Sequence, residues 1–329
     1  MTMLAMRFDL RAPEFGAPRA ELYEACLDMS AWADEHGFDI VVLSEHHGAA
    51  DGYLPAPLAL AGAVVGRTKR IPITVAALLV PLHDPVRLAE ELVVLDLASG
   101  GRVSIVAGAG YRPEEFEMAG IDRKTRGKLL EEHIEVMRKA WTGEPFEWRG
   151  RTVQVTPKPL SEPHPMVMLG GSTEIAARRA ARLRLPLFPA VGDPQLAEWY
   201  RDECEKVGFT GGFAMLPSGP GFVFVADDVA RAWERIGPHV LHEVQVYDSW
   251  QTPGQRSAVH VEAETVDDVR ASGTYRVVTP DECVALAEEL GPMGTLVFHP
   301  LIGGLAPAVA WESLGLLASK VLPRIRPPA

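Results

Sequence analysis

The stretch Ile71–Ala107, IPITVAALLVPLHDPVRLAEELVVLDLASGGRVSIVA, decides which fold the sequence predicts. It begins with the continuous apolar run Ile71–Leu79, which is typical of a strand buried on both faces. Pro85–Ser99 has helical spacing, with proline in its first turn and Gly100–Gly101 beyond its end. Val103–Ala107 is a second buried strand. A strand, a helix and another strand joined by short loops predict a parallel βαβ unit.

The same alternation continues on both sides of this unit, and one segment interrupts it. FEWRGRTVQV, within Phe146–Pro157, alternates around Arg149–Gly150 and predicts an inserted β-hairpin. We predict the α/β class, a (β/α)8 barrel with insertions, as a single domain over residues 1–329. A doubly wound sheet is the alternative, but no G-x-G-x-x-G separates the first strand from the first helix. Residues 242–273 are the least regular and predict a lid or an insertion.

Charge and composition exclude several classes of protein. The formal net charge is -12, without a basic stripe, which disfavours nucleic acid and anionic membranes as partners. No apolar run reaches the ~18 residues of a membrane span, and Met1–Arg11 lacks the pattern of a signal peptide. Cys26, Cys204 and Cys283 have neither metal nor disulfide spacing, so we expect buried thiols in a cytoplasmic protein.

The candidate catalytic residue follows the second predicted strand, in the sequence Ser44-Glu45-His46-His47. Residues just beyond the carboxyl end of a barrel strand point into the active-site mouth. A histidine at that place can exchange protons near neutral pH, which makes His46 the candidate acid or base. A histidine pair that only caps a loop is an equal alternative. Adjacent histidines point in different directions, so no metal site is predicted.

Three other strand ends predict contacts with a ligand. Small residues at Ala76–Ala77 leave room for a flat ring against the backbone, and glycines at 108 and 110 permit close approach beside Tyr111. Gly170-Gly171-Ser172-Thr173 precedes a helix whose free N–H groups could bind a phosphate. Each segment has a structural alternative: an ordinary βα turn, a flexible loop exit and a serine N-cap.

Taken together, these segments resemble the bacterial-luciferase-like flavin- or F420-dependent oxidoreductase superfamily. GFDIVVLSEHH (Gly37–His47) is similar to its second-strand motif, and the residues from Val80 to Gly120 are similar to its third and fourth units. HPLIGGLAPAVAWESLGLLASKVLPRIR (His299–Arg326) resembles its closing segment. The ordered set is specific, although no single motif is decisive.

The resemblance implies a role for each matching position. His46 matches the family histidine beside the flavin ring, and Ala76–Ala77 matches a non-prolyl cis peptide against that ring. Gly170–Thr173 matches the phosphate-binding helix start. The cofactor contacts that follow are Glu45, Ala76, Ala77, Ala107, Gly108, Ala109, Gly110, Tyr111, Gly170, Gly171, Ser172 and Thr173. Where many members carry a phosphate-binding arginine this chain has Ala109, for which Arg112 could substitute, and no reactive cysteine stands at Ala107.

The resemblance implies a monooxygenase that uses reduced FMN and O₂ to oxidise a small organic substrate. Two alternatives remain open: an F420-dependent hydride-transfer enzyme, which the missing arginine at 109 mildly favours, and a non-catalytic flavin-binding protein. Tyr247, Trp250 and His299 are candidates for the substrate pocket, since aromatic residues often line ligand sites. A separate flavin or F420 reductase and a homodimer are further expectations from the family.

Overall fold

The structure, a computed structural model, describes residues 1–252, 254 and 256–326, and strands alternate with helices along this part of the chain. The strands are β1 (Met3–Phe8), β2 (Ile40–Leu43), β3 (Ile73–Leu78), β4 (Val103–Ala107), β5 (Phe146–Trp148), β6 (Arg151–Val153), β7 (Val167–Leu169), β8 (Phe222–Val225), β9 (Tyr275–Val278) and β10 (Thr295–Phe298). The helices are α1 (Arg19–Glu35), α2 (Pro57–Arg67), α3 (Pro85–Ser99), α4 (Pro113–Met118), α5 (Arg126–Trp141), α6 (Glu174–Arg182), α7 (Pro194–Val207), α8 (Val229–Ser249), α9 (Val266–Ser272), α10 (Pro280–Leu290), α11 (Pro307–Leu316) and α12 (Leu322–Ile325). In the described part of the chain, no helix is both long enough and apolar enough to cross a membrane.

The chain divides into two compact units that interleave along the sequence. The terminal unit comprises Met1–Val42, Ala49–Leu54 and the chain from Pro217 onward. The middle unit comprises Leu43–Gly48 and Pro55–Leu216. The single domain expected over residues 1–329 stays a prediction.

In the terminal unit, the strands lie in the order β2-β1-β10-β8-β9. The pairs β1–β10, β10–β8 and β8–β9 are parallel, and Met6 is aligned with Phe298. Phe222 and Phe224 of β8 pack with Trp233 of α8 in a buried apolar cluster. The apolar strands predicted from the sequence therefore form the buried layer, as expected for strands covered by helices.

The middle unit has the parallel order β7-β4-β3 and the separate antiparallel hairpin β5–β6. Arg149 and Gly150 both have positive φ, at 49° and 74°, which is the backbone of the two-residue turns that match strand twist. The hairpin prediction is therefore confirmed. Helix α3 begins after Asp84, whose side chain accepts hydrogen bonds from the N–H groups of Val86 and Arg87, and it ends at Gly100.

The prediction of an irregular segment over residues 242–273 is wrong in two places. Helix α8 continues to Ser249, and α9 occupies Val266–Ser272. The buried side chains Val240, Glu243, Val244 and Tyr247 recur at helical spacing. One of these inward positions is the carboxylate Glu243, so the apolar residues by themselves do not show the helical repeat. Positions 253 and 255 of this segment lie outside the described residues.

The expectation of buried thiols is confirmed, because Cys26, Cys204 and Cys283 are all free and buried. Burial raises the pKa of each thiol, and that of Cys283 reaches about 12. These cysteines are therefore uncharged packing groups at neutral pH.

Candidate active site

The segment that leaves β2 places His46 in the middle unit, where it meets a carboxylate from α4. His46 Nδ1 lies 2.7 Å from Glu115 Oε1, and the backbone N–H of His47 donates to the same oxygen at 3.0 Å. His46 Nε2 lies 3.4 Å from the hydroxyl oxygen of Tyr111, and the two rings meet edge to face at 5.5 Å. Both His46 and Glu115 are buried. The predicted histidine therefore has one ring nitrogen held by a carboxylate and the other directed toward a phenol.

Glu45 is the centre of a second buried arrangement in the same loop. Its Oε1 lies 2.9 Å from His47 Nε2 and 2.8 Å from His83 Nε2, and its Oε2 accepts from the backbone N–H of Leu79. Burial alone would raise the pKa of Glu45, but the hydrogen bonds from His47, His83 and Leu79 and the charge of His83 lower it to about 2. Both carboxylate oxygens have protein donors, so Glu45 holds the loop after β3. Its direct contact with a cofactor stays a prediction.

The peptide between Ala76 and Ala77 is cis, so this part of the prediction from the resemblance is confirmed. Gly108 lies directly against it: its N–H donates to the carbonyl of Leu78 at 2.8 Å, and a Cβ there would stand 2.9 Å from the Cβ of Ala77. Gly110 has a φ of +74°, and a Cβ there would stand 2.9 Å from the Phe116 ring. The glycines after β4 are thus required by local packing and left-handed backbone.

The helix start after β7 differs by one residue from the sequence prediction. Thr173, not Ser172, is the N-cap of α6, and its hydroxyl accepts from the N–H of Ala176 at 3.2 Å. Gly171 has a φ of +131°, and a Cβ there would stand 2.6 Å from Ala176. The start of α6 therefore combines a glycine turn with the positive end of a helix dipole, a combination that suits an anion.

Three arginines connect this helix with the loop after β4. Arg123 donates to the carbonyl of Tyr111 at 3.2 Å, and Arg126 donates to the carbonyl of Arg123 at 3.1 Å. Burial and the charges of Arg123 and Arg179 lower the pKa of Arg126. Arg179, on α6, also pairs with Glu131 at 2.6 Å. The charges of Arg123 and Arg179 therefore lie close enough to Arg126 to disfavour its charged form.

Arg112, the arginine expected to replace the missing one at position 109, has a different place. It is buried, its Nη1 donates to the carbonyl of His47 at 2.8 Å, and the same atom lies 3.4 Å from Glu115 Oε1. Arg112 thus supports the His46–Glu115 pair. The expectation that it contacts the phosphate stays a prediction.

The three residues predicted for a substrate pocket lie in the terminal unit, where they surround buried charges. The guanidinium of Arg11 lies 4.6, 4.5 and 4.8 Å from the ring centres of Tyr53, Tyr247 and Trp250. Its Nη1 donates to Asp51 at 2.7 Å. The rings of Tyr247 and Trp250 therefore enclose a cation of the protein itself. Their contact with a substrate stays a prediction.

His299 lies at the carboxyl end of β10 between two carboxylates. Its ring nitrogens are 3.3 Å from Asp9 and 3.3 Å from Glu243. Arg11 lies 3.2 Å from Asp9, and Arg7 lies 3.7 Å from Glu243. Burial alone would raise the pKa of Asp9, but His299, Arg11 and Arg7 hold it well below its usual range. Although the spacing of the two carboxylates and the imidazole would suit a metal, the guanidinium groups already neutralise them. We therefore interpret the group as an ion-pair network.

Comparison with known proteins identifies the family of this chain. Residues 6–292 match the family described as luciferase-like monooxygenase. The chain belongs to this family. The predicted resemblance is thereby confirmed.

Two curated relatives of the luciferase-like chain illustrate the similarity. It is 27% identical to limonene 1,2-monooxygenase of Rhodococcus erythropolis over 90% of this chain and 80% of that protein. It is 29% identical to 4-hydroxyprotoasukamycin monooxygenase of Streptomyces nodosus subsp. asukaensis, over 41% of this chain and 38% of that protein. The chain spans only about half the length of other curated relatives that it matches, 50% and 51% in two cases.

Solved structures share the fold of the luciferase-like chain. Monooxygenase RslO1 from Streptomyces bottropensis has a TM-score of 0.78 at 23% identity and covers 98% of this chain and 99% of its own. The oxygenating constituent of 3,6-diketocamphane monooxygenase from Pseudomonas putida, in complex with FMN, has a TM-score of 0.72 at 21% identity, with 100% of both chains covered. An F420-dependent secondary alcohol dehydrogenase has a TM-score of 0.69 at 16% identity, with 99% of both chains covered. The predicted fold class, an α/β protein of the (β/α)8 type, is thereby confirmed.

Sequence reasoning missed the groups that hold the predicted residues in place. Glu115 stands in the polar run RPEEFE, which is typical of a solvated helix face. The one sequence feature that pointed to burial of Glu115 is its neighbour, the large apolar residue Phe116, and the structure shows both side chains buried. Arg11 and Glu243 were missed for the same reason, because charged residues are seldom fully buried unless they are paired.

Proposed function

We propose that this luciferase-like protein is a flavin-dependent monooxygenase that uses reduced FMN and O₂ to oxidise a small organic substrate. The observation that carries the proposal is the position of His46, with Nδ1 held by Glu115 and Nε2 directed toward Tyr111 in the loop after β2. The FMN complex of the 3,6-diketocamphane monooxygenase, which shares this fold, supports FMN as the cofactor. The name of the limonene relative supports a small organic substrate.

The residues of the middle unit fit a flavin nucleotide. Arg126 and Arg179 repel each other, and a phosphate would relieve that repulsion. The start of α6, after Gly171, offers backbone N–H groups that suit an anion. Ala77 and Gly108 lie in contact and carry no large side chain, which suits a flat ring. These residues would hold the phosphate and the ring.

When bound, the reduced flavin supplies two electrons to O₂, so that one oxygen atom enters the substrate and the other leaves as water. The protein's own contribution is a proton at a fixed place. We infer that His46, when both of its ring nitrogens are protonated, gives up the proton of Nε2, the nitrogen that faces Tyr111, as oxygen is reduced. A separate reductase would supply the reduced FMN.

The alternative is an F420-dependent oxidoreductase that transfers hydride. Its support is the fold shared with the F420-dependent secondary alcohol dehydrogenase and the alanine at position 109. His46 would then exchange a proton with the substrate. A flavin-binding protein without activity is the third proposal, and the hydrogen-bonded His46 speaks against it.

Cofactor titration separates the first two proposals. The purified protein is titrated with FMN and with F420, and binding is followed by absorbance and fluorescence. We expect saturable binding of FMN. With chemically reduced FMN and O₂, we also expect an oxygenated product from an added terpene or ketone, which a control without protein does not form. Saturable binding of F420 alone, with no oxygenated product, would favour the hydride-transfer enzyme. Flavin binding without any turnover would favour the third proposal.

The variant His46→Ala tests the catalytic role proposed for His46. Turnover should fall by about 10²- to 10⁴-fold, the usual contribution of a positioned acid or base. His36→Ala is the control, because His36 is a half-buried histidine that stacks on Trp32 at the end of α1. Unchanged turnover in the His46 variant would overturn the assignment.

A further inference from the structure

We propose that Glu115 is the positioning residue of this enzyme: it fixes His46 in the form that carries its proton on Nδ1 and leaves Nε2 to exchange the catalytic proton. The proposal rests on the proposed function for its catalytic part. Its structural part stands on the distance of 2.7 Å between His46 Nδ1 and Glu115 Oε1.

The chemistry of a neutral imidazole explains why this contact matters. Such a ring has one N–H donor and one acceptor nitrogen, and the partner of one nitrogen decides the state of the other. A carboxylate accepts only, so Nδ1 must be the donor in the contact with Glu115. Nε2, 3.4 Å from the hydroxyl of Tyr111, is then the nitrogen that takes up and releases a proton.

The surroundings of Glu115 keep it in this role. Its Oε1 also accepts from the N–H of His47 at 3.0 Å and lies 3.4 Å from Arg112 Nη1. Arg112 in turn lies 4.0 Å from the exposed Glu114. The charged and titratable residues that face the pair include His47, Arg112, Tyr111 and, behind the arginine, Glu114. Glu115 itself is 1% exposed, so water does not compete for the bond.

The kinetic test compares Glu115→Gln and Glu115→Asp with the wild type. We expect Glu115→Gln to lower kcat by about 10- to 100-fold, the usual effect of removing a group that orients a functional histidine. KM for the organic substrate should change little, and Glu115→Asp should recover part of kcat. Glu117→Gln is the control, because Glu117 is exposed on the same helix.

The pH profile distinguishes positioning from a loss of structure. A carboxylate beside an imidazole stabilises the protonated ring, so its removal should move the loss of turnover at high pH to lower pH by about one unit or more. A reduced kcat with an unmoved profile in Glu115→Gln would show a structural role only and would overturn the proposal.

A second measurement needs neither cofactor nor turnover. Nitrogen NMR of the protein labelled with ¹⁵N-histidine reports which ring nitrogen carries the proton, and the spectrum of His46→Gln assigns the His46 signals. We expect wild-type His46, when neutral, to be protonated on Nδ1, and Glu115→Ala to lose this preference. A neutral wild-type ring whose single proton is on Nε2 would overturn the proposal, even if the variant does not fold.

The two measurements also separate this proposal from the proposed function. If the wild type neither binds FMN nor consumes O₂, the monooxygenase assignment fails, and the NMR result still decides the role of Glu115. If the wild type is an active oxygenase while the Glu115 variants keep its kcat, pH profile and histidine signals, only the positioning role fails.

Discussion

Gly108 lies so close to Ala77 that a Cβ atom on Gly108 would stand 2.9 Å from the Cβ of Ala77. This contact joins the end of β4 to the cis peptide of β3 in the middle unit. It explains why the sequence has glycine at this place without any appeal to a ligand, since real Cβ atoms do not approach so closely.

We expect Gly108→Ala to reduce the free energy of unfolding by about 1–3 kcal/mol, because the added methyl group overpacks a rigid site. Urea denaturation of both proteins measures the difference. Gly66→Ala is the matched control: outside its own turn of helix α2, no atom lies within 4 Å of the added Cβ, and alanine favours a helix by up to ~1 kcal/mol. Equal stability of the wild type and the Gly108 variant would show that the contact can relax.

The buried pair of Arg11 and Asp51 predicts a large loss of stability when one partner is removed. Arg11→Met leaves the carboxylate of Asp51 without its partner at 2.7 Å, and breaking a buried pair in this way costs about 3–5 kcal/mol. Thermal and urea denaturation would measure the loss. The control is Arg235→Met, whose pair with Glu312 is exposed and should contribute less than about 1 kcal/mol. Similar losses in both variants would contradict the prediction.

The lowered pKa of Glu45 predicts how the stability of the protein depends on pH. Its pKa is lowered to about 2 in the folded protein, whereas an unfolded glutamate has a pKa of about 4.3. The stabilisation is therefore complete above the unfolded value and is lost as the pH falls from there through the folded value. We expect Glu45→Gln to be less stable than the wild type at pH 7 by about 3 kcal/mol at most, and the difference to shrink as the pH falls below about 4. Urea denaturation of both proteins at pH 7 and below about pH 4 tests this prediction. A stability difference that stays constant over this range would contradict it.

The proposed phosphate site leads to a prediction for Arg126. Arg126→Gln should weaken FMN binding by about tenfold or more, since hydrogen bonds to charged groups contribute about 1.5–3 kcal/mol. The loss should be smaller for riboflavin, which lacks the phosphate. Fluorescence titration at low and high salt provides the measurement. The control is Lys139→Gln, because Lys139 is an exposed cation on the same helix, and an equal loss of both ligands would place the phosphate elsewhere.

Several elements could be predicted from local sequence because their causes are local. The Arg149–Gly150 turn, the caps of α3 and the apolar runs of β3 and β4 each depend on neighbouring residues and on a single repeat length. The cis peptide at Ala76–Ala77 was implied only by the resemblance. The extent of α8 could not be predicted, since Glu243 occupies an inward position that the periodicity assigns to apolar residues.

The sequence by itself determined the α/β class, the hairpin, the luciferase-like family and the choice of His46. Only the tertiary structure decided what that histidine touches, because Glu115 is 69 residues away along the chain. It likewise decided that Tyr247 and Trp250 enclose Arg11, and that Arg112 supports Glu115. Periodicity records which side of an element is buried, whereas the partner of a buried charge depends on which distant segments the fold brings together.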